Sequence, residues 1–280
     1  MTSALKFLIL DAYDRAGREE LTAELVTPAG TLYQHMLQRW LPQAHGVVAY
    51  PADADCVIPD GLPSYDAMLW TGSSLTIYED QPEVHRQIDL VRQGFALGIP
   101  AFGSCWALQL AAVAAGGACR KNPNGREFGL ARKISLTDAG RNHPAFAGRN
   151  LCFDGFTSHF DEVSAMPEHA TVLAGSAMTG IQAAEIHYDK GSFLALQYHP
   201  EFDFAVVSGL ARCRAEGLIA EGHFADRASV EGYAQQCEKL HRCPDDPAAR
   251  FALAADDDVL NAAVRQNEFA NWLRCTFTLY

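Results

Sequence analysis

Apolar residues fall in short blocks early in the chain, separated by stretches with helical spacing. Residues 6–10 form an apolar run halted at once by Asp11, which predicts a buried strand opening a parallel sheet. Residues 31–41 set Leu32, His35, Met36, Leu37 and Trp40 near helical spacing, and Pro42 ends the pattern. Residues 47–50 and 67–70 predict the next two strands, the second running into Thr71-Gly72-Ser73-Ser74. Pro82 suits the first turn of a helix carried by Val84, Ile88, Val91 and Phe95 and closed near Gly98. Residues 99–102 then predict a strand and 106–115 a helix. Strand and helix alternate, so the expected fold is a doubly wound α/β sheet.

Farther along, residues 131–137, 151–153, 172–176, 181–187 and 193–197 are short, crowded and turn-linked, which predicts antiparallel strands. Beyond Glu201 the apolar residues return to helical spacing, interrupted by Asp245-Asp246-Pro247 and Asp256-Asp257-Asp258. The expected organisation is a catalytic domain over 1–204 and a helical C-terminal extension over 205–280 packed on it, with a covering or oligomerisation role as its simplest reading. There is no internal repeat and no low-complexity stretch.

Composition narrows the function. A chain of 280 residues with 49% hydrophobic and 20% charged residues has enough apolar surface for a large core. A formal net charge of −12 and the lack of clustered Lys and Arg exclude a phosphate-backbone partner, so no nucleic acid is expected. The start of the chain, through Lys6, lacks a charged region followed by a long apolar stretch and does not resemble a signal peptide. No apolar window approaches the roughly 20 residues that cross a bilayer. Eight cysteines, at 56, 105, 119, 152, 213, 237, 243 and 275, show no CxxC pair. That scatter predicts reduced, mostly buried thiols in a cytoplasmic protein without zinc or another cofactor.

One cysteine stands in a different context. Ile99-Pro100-Ala101-Phe102-Gly103-Ser104-Cys105-Trp106-Ala107-Leu108-Gln109 places Cys105 on the sharp turn between a buried strand and a helix, a nucleophile elbow. Gly103 and Ala107 flank it because neighbouring strands crowd that turn and only small side chains fit. The helix N-terminus supplies free N–H groups and a positive dipole end, which favour a thiolate and a developing oxyanion. A thiolate also needs a proton donor for the leaving amine, usually a His oriented by a carboxylate. Tyr198-His199-Pro200-Glu201, after an apolar strand, offers both.

Gly-x-Cys-x-small-x-Gln followed about 90 residues later by His-Pro-Glu resembles the class I glutamine amidotransferase family over residues 5–204. The resemblance implies an open, mostly parallel, flavodoxin-like sheet and a γ-glutamyl thioester on Cys105. It makes His199 the general base and acid and Glu201 its orienting group. It places an oxyanion hole at the Gly72 and Trp106 N–H groups, and Gln109 at the amino-acid end of the substrate. Ser158-His159-Phe160-Asp161 resembles the family's Ser-His-Gly-Asp stretch at the substrate's α-amino group, with Phe160 where Gly is usual. His159 is a rival catalytic histidine that lacks an adjacent carboxylate in the family's arrangement. Ala107 replaces the commonest Gly. Residues 122–129 resemble the loop after the elbow helix, where Arg126 and Glu127 either face the site or belong to a solvated turn.

The nearest resemblance is to free-standing GMP-synthase-like amidotransferase domains. No Ser-Gly-Gly-x-Asp-Ser phosphate loop is present, so a synthetase partner would be a separate chain. Three functions follow: a glutaminase supplying ammonia to that synthetase, a stand-alone hydrolase of γ-glutamyl amides or peptides, and a non-catalytic partner-binding relative. The expected small-molecule partner is glutamine or a γ-glutamyl compound, with no membrane.

Overall fold

A computed structural model describes residues 4–278, so the first three residues of the segment read against a signal peptide lie outside it. The first half of the chain runs β1 (Lys6–Leu10), α1 (Arg15–Ala23), α2 (Ala29–Trp40), β2 (His45–Ala49), β3 (Ala67–Trp70), α3 (Pro82–Leu97), β4 (Ala101–Ser104) and α4 (Trp106–Ala114). The β-rich part follows as β5 (Ala118–Lys121), β6 (Glu127–Leu136), α5 (Asp138–Asn142), β7 (Cys152–His159), β8 (Asp161–Ala165), β9 (Ala170–Gly175), β10 (Ala183–Tyr188) and β11 (Gly191–Leu196). The chain then continues as α6 (Phe204–Cys213), α7 (Ala215–Ala220), α8 (Arg227–Arg242), α9 (Pro247–Leu253), α10 (Asp257–Leu260), α11 (Ala262–Arg265) and α12 (Asn267–Phe277).

Nine strands form one sheet in the order β2-β1-β3-β4-β11-β10-β9-β6-β7. From β2 to β11 the pairs are parallel, and from β11 to β7 they are antiparallel. β5 and β8 pair apart from it. The parallel half explains the short continuous apolar runs, because such strands are covered on both faces. Alternate residues of β1 divide accordingly. Leu8 and Leu10 pack with Val84, Val91 and Leu108 of α3 and α4, whereas Phe7 and Ile9 pack with Tyr33 and Leu37 of α2 and with Phe269 and Trp272 of α12.

The helix signals hold where they were local. Pro82 opens α3, and Gly98 closes it in the left-handed conformation at φ 73°. The aspartates between the C-terminal helices are caps: Asp246 accepts from the Ala249 amide at 2.8 Å, and Asp256 from the Asp258 amide at 3.0 Å.

Two expectations change. The strand read over 151–153 extends through His159, so Ser158 and His159 end β7, Phe160 is the one-residue link, and Asp161 opens β8. The cysteines are not mostly buried. All eight are free thiols, but only Cys105 and Cys237 are buried, while Cys152, Cys243 and Cys275 are exposed. Cys237 is buried in the cluster between α6 and α8, and Cys105 lies at the elbow.

Candidate active site

Cys105 is the residue between β4 and α4, with φ 54° and ψ −99°, a conformation that costs a non-glycine residue strain. Its amide donates to the Leu196 carbonyl at 2.7 Å, continuing the β4–β11 pairing into the turn. The following helix is pinned by its first residue, since the Trp106 indole donates to Gln87 on α3 at 2.9 Å. Small flanking residues are a steric requirement. A methyl group on Gly103 would stand 2.6 Å from the Trp70 carbonyl oxygen.

β11 delivers the second group. After it the His199 amide donates to the Phe156 carbonyl on β7 at 2.8 Å, so two strands fix the imidazole's origin. Its Nδ1 lies 2.7 Å from Glu201 Oε1, and the ring stacks on Phe202 at a centroid distance of 3.8 Å. Glu201 Oε1 also accepts from Ser104 Oγ at 2.8 Å, and Ser104 Oγ accepts from the Tyr33 hydroxyl at 2.8 Å. His199 Nε2 is buried without a partner of good hydrogen-bond geometry, and the Cys105 thiol is the group beside it. Burial works to lower the His199 pKa, but Glu201 and Cys105 outweigh it and hold it at about 9.

Cys105, Trp106, Gln109, Ser158, His159, Phe160 and Asp161 line one pocket of about 380 Å³, the scale of small-molecule sites. Gly72 does not line it. Gly72 lies over Cys105 and His199, where an added methyl would be 2.9 Å from His199 Cε1 and 3.7 Å from Cys105 Cβ; the next residue, Ser73, is on the pocket wall. His159 is committed elsewhere, its Nε2 2.9 Å from Glu127 Oε2 and its Nδ1 2.9 Å from the Asp161 carbonyl. The Phe160 ring lies beneath two cations, Lys121 Nζ at 4.4 Å and the Arg126 guanidinium at 5.0 Å. Asp161 accepts from the Tyr78 hydroxyl at 2.8 Å, and burial raises its pKa. Gln109 is held loosely, its Nε2 3.4 Å from the Asp161 carbonyl.

Sequence reasoning missed Tyr78, Arg214 and Tyr13. Arg126 reaches the pocket wall, whereas Glu127 is buried at the start of β6. Arg214, between α6 and α7, donates to Ser158 Oγ and contacts the Tyr13 hydroxyl at 3.4 Å. Tyr13 is brought there by the turn after β1, tied to the 71–73 turn through Ala12 N to Thr71 Oγ1 at 2.9 Å. Only the Tyr78-Glu79 pair, next to the Thr-Gly-Ser-Ser turn, carried a local signal; the others depend on the tertiary fold. Among the described residues no group of three or more His, Cys, Asp or Glu is arranged to hold a metal, and no helix is long and apolar enough to cross a membrane.

The family model for class-I glutamine amidotransferases matches residues 54–206. A γ-glutamyl-L-1-hydroxyisopropylamide hydrolase from Pseudomonas sp is 33% identical over 272 residues, covering 96% of this chain and 92% of the relative. A glutamine-hydrolysing GMP synthase from Desulfotalea psychrophila is 30% identical over 159 residues, 53% of this chain but 28% of that protein. The solved structure of a glutamine amidotransferase from Methylobacillus flagellatus has the same fold, with a TM-score of 0.67 at 16% identity over 98% of this chain and 95% of that one.

Proposed function

The chain belongs to the class-I glutamine amidotransferase family, and from that premise we propose that it hydrolyses a γ-glutamyl amide through a thioester on Cys105. The observation that carries the reading is the strained Cys105 beside the His199–Glu201 pair, opening on the pocket. The Cys105 thiolate attacks the γ-carbonyl carbon, and the oxyanion is stabilised by the Trp106 amide and the amides of the 72–73 turn. The C–N bond breaks as His199 Nε2 gives its proton to the leaving amine. Water then adds to the thioester carbonyl, His199 takes a proton from it, and the C–S bond breaks to release the γ-carboxylate and the thiolate. Glu201, held by Ser104, keeps Nδ1 protonated and Nε2 aimed at the reacting atoms. Gln109, Ser158, Phe160 and Asp161 bind the amino-acid end, while His159 shapes that wall through Glu127.

The full-length similarity to a γ-glutamyl amide hydrolase supports a self-contained hydrolase in which water always resolves the thioester. The GMP synthase matches favour a second reading, glutamine as substrate and ammonia delivered to a separate synthetase chain; this chain spans under a third of the first such relative's length. Cytoplasmic location belongs to either reading. The deciding assay measures amine or ammonia release, with glutamate, from γ-glutamyl ethylamide and from glutamine, with Cys105→Ala as control. Brisk Cys105-dependent release from the ethylamide with glutamine poor supports the hydrolase. Glutamine turnover that rises on adding a synthetase supports the second reading. Release that persists in Cys105→Ala overturns both.

A further inference from the structure

Two guanidinium groups lie on the pocket wall, and they differ in one respect. Arg126 is neutralised by Glu221, the residue after α7, with Nε 2.6 Å from one carboxylate oxygen and Nη2 3.1 Å from the other. Arg214 has no carboxylate partner among the described residues. Its contacts are neutral: Nη1 donates to Ser158 Oγ and lies 3.5 Å from the Ser158 carbonyl, and Nη2 lies 3.4 Å from the Tyr13 hydroxyl. The backbone there is fixed, with the Arg214 amide on the Leu210 carbonyl at 3.0 Å and the Arg214 carbonyl accepting from Leu218 at 2.9 Å. A half-buried guanidinium held in place, with donors left over in a pocket, is a receptor for an anion. Glutamine and simple γ-glutamyl amides carry one anionic group, the α-carboxylate.

We propose that Arg214 binds the α-carboxylate of the substrate, with Ser158 and Tyr13 holding its guanidinium, so that the segment beyond the family-matched residues determines specificity for the free amino acid. This rests on the γ-glutamyl reading above. Arg suits the task because its planar fork meets a carboxylate with two parallel N–H donors. Arg214 and Cys105 line the same pocket, and the guanidinium contacts the Tyr13 hydroxyl at 3.4 Å. Burial holds the Tyr13 hydroxyl protonated, its pKa pushed up to about 12, so it meets the guanidinium as a neutral group.

The test is calorimetric binding to Cys105→Ala protein, where no turnover interferes, of L-glutamine and γ-L-glutamyl ethylamide, each beside its α-carboxamide analogue. With Arg214 present the free acids bind about ten- to hundred-fold tighter than the carboxamides, the range of a charge-assisted hydrogen-bonded pair. In Arg214→Met that preference falls to about two-fold or less while carboxamide affinity stays near its original value. Arg214→Gln, which keeps a donor for Ser158, gives the same loss and serves if the Met variant does not fold. A preference that survives in the folded neutral variants overturns the proposal and leaves the γ-glutamyl reading intact. Failure of Arg214-containing protein to bind any of the four compounds removes the γ-glutamyl reading and the proposal with it.

Discussion

Gly103 and Ala107 face each other across the turn at Cys105 so closely that a methyl on Gly103 would stand 2.3 Å from Ala107 Cβ. The turn therefore has room for one methyl group and not two, and Ala107 is tolerated because Gly103 is bare. Gly103→Ala forces either the Trp70 carbonyl or α4 to move, at about 1–3 kcal/mol or more for overpacking, and displaces Cys105. Activity in that variant falls at least about 100-fold, the scale of a misplaced reacting group. Ala107→Gly keeps activity within a few-fold and loses about 0.5–1 kcal/mol of stability. Steady-state kinetics and thermal melts of the two variants check both; an active Gly103→Ala enzyme would contradict the steric account.

Ser104 stands between Tyr33 and Glu201 and donates to Glu201 Oε1, the same oxygen that faces His199 Nδ1. Ser104→Ala removes a hydrogen bond to a charged group, about 1.5–3 kcal/mol, and frees Glu201 to turn from Nδ1. The expected fall in kcat is about ten-fold or more. Tyr33→Phe keeps the Ser104–Glu201 bond and lowers kcat only about two- to three-fold. Equal losses in the two variants would show that packing, not the bond to Glu201, carries the effect.

The pH dependence follows from His199. Its folded pKa of about 9 lies above its ordinary value of 6.5, so the folded protein holds this proton more tightly than the unfolded chain. The resulting stability is fully present below about 6.5 and is lost as pH rises through about 9. On the proposed mechanism the imidazolium that protonates the leaving amine persists to the same point, so kcat/KM is expected to fall on an alkaline limb near 9. Glu201→Gln removes the carboxylate and moves that limb down by about one unit or more. An alkaline limb unmoved by the substitution would assign it to another group.

What the sequence made legible was local. The elbow is a contiguous string from Ile99 to Gln109, the His–Glu pair is two residues apart, and α3 carries its own Pro and Gly signals. Each could be read because the groups that cooperate are neighbours in the chain. α1 was invisible because Arg15–Ala23 buries only Gly17 and Leu21 and offers no periodic apolar stripe. The wall built by Arg214 was invisible for a different reason: its contacts lie 56 residues away at Ser158 and 201 away at Tyr13, and an arginine between two helices has the same local appearance as a solvated one. The cysteine expectation failed because number and spacing speak to pairing, not to burial.

His159 tests whether the second histidine of the site is part of the framework. Both ring nitrogens already face acceptors, Glu127 Oε2 and the Asp161 carbonyl, and Gln182 Nε2 donates to the same Glu127 oxygen at 3.0 Å. His159→Gln strands buried partners and costs about 1–3 kcal/mol, about 2–12 °C in melting temperature for a domain this large. kcat stays within about ten-fold, while KM rises because the wall beside Asp161 loosens. A loss of kcat comparable with that of His199→Ala would restore His159 as a proton-transfer group.

The helices beyond residue 204 bear on whether this chain is a domain with an appendage or one cooperative unit, and Phe102 decides the expectation. It lies on β4, three residues before Cys105, and its ring meets Phe269 at 5.1 Å and Trp272 at 5.5 Å, both on α12. That helix covers the sheet face beside α2, so without it the apolar side of the strand carrying Cys105 would meet water. On this ground residues 205–280 are proposed to fold together with 1–204. Trp272→Ala then costs about 3–5 kcal/mol, about 6–20 °C at the size scaling for such a domain. The loss appears in melting temperature more than in KM, because Trp272 does not line the pocket. A 1–204 fragment lacks α12 and also Arg214, so it is expected to aggregate or melt without cooperativity. A soluble fragment with a sharp thermal transition and Cys105-dependent turnover would make the helices a dispensable cover instead.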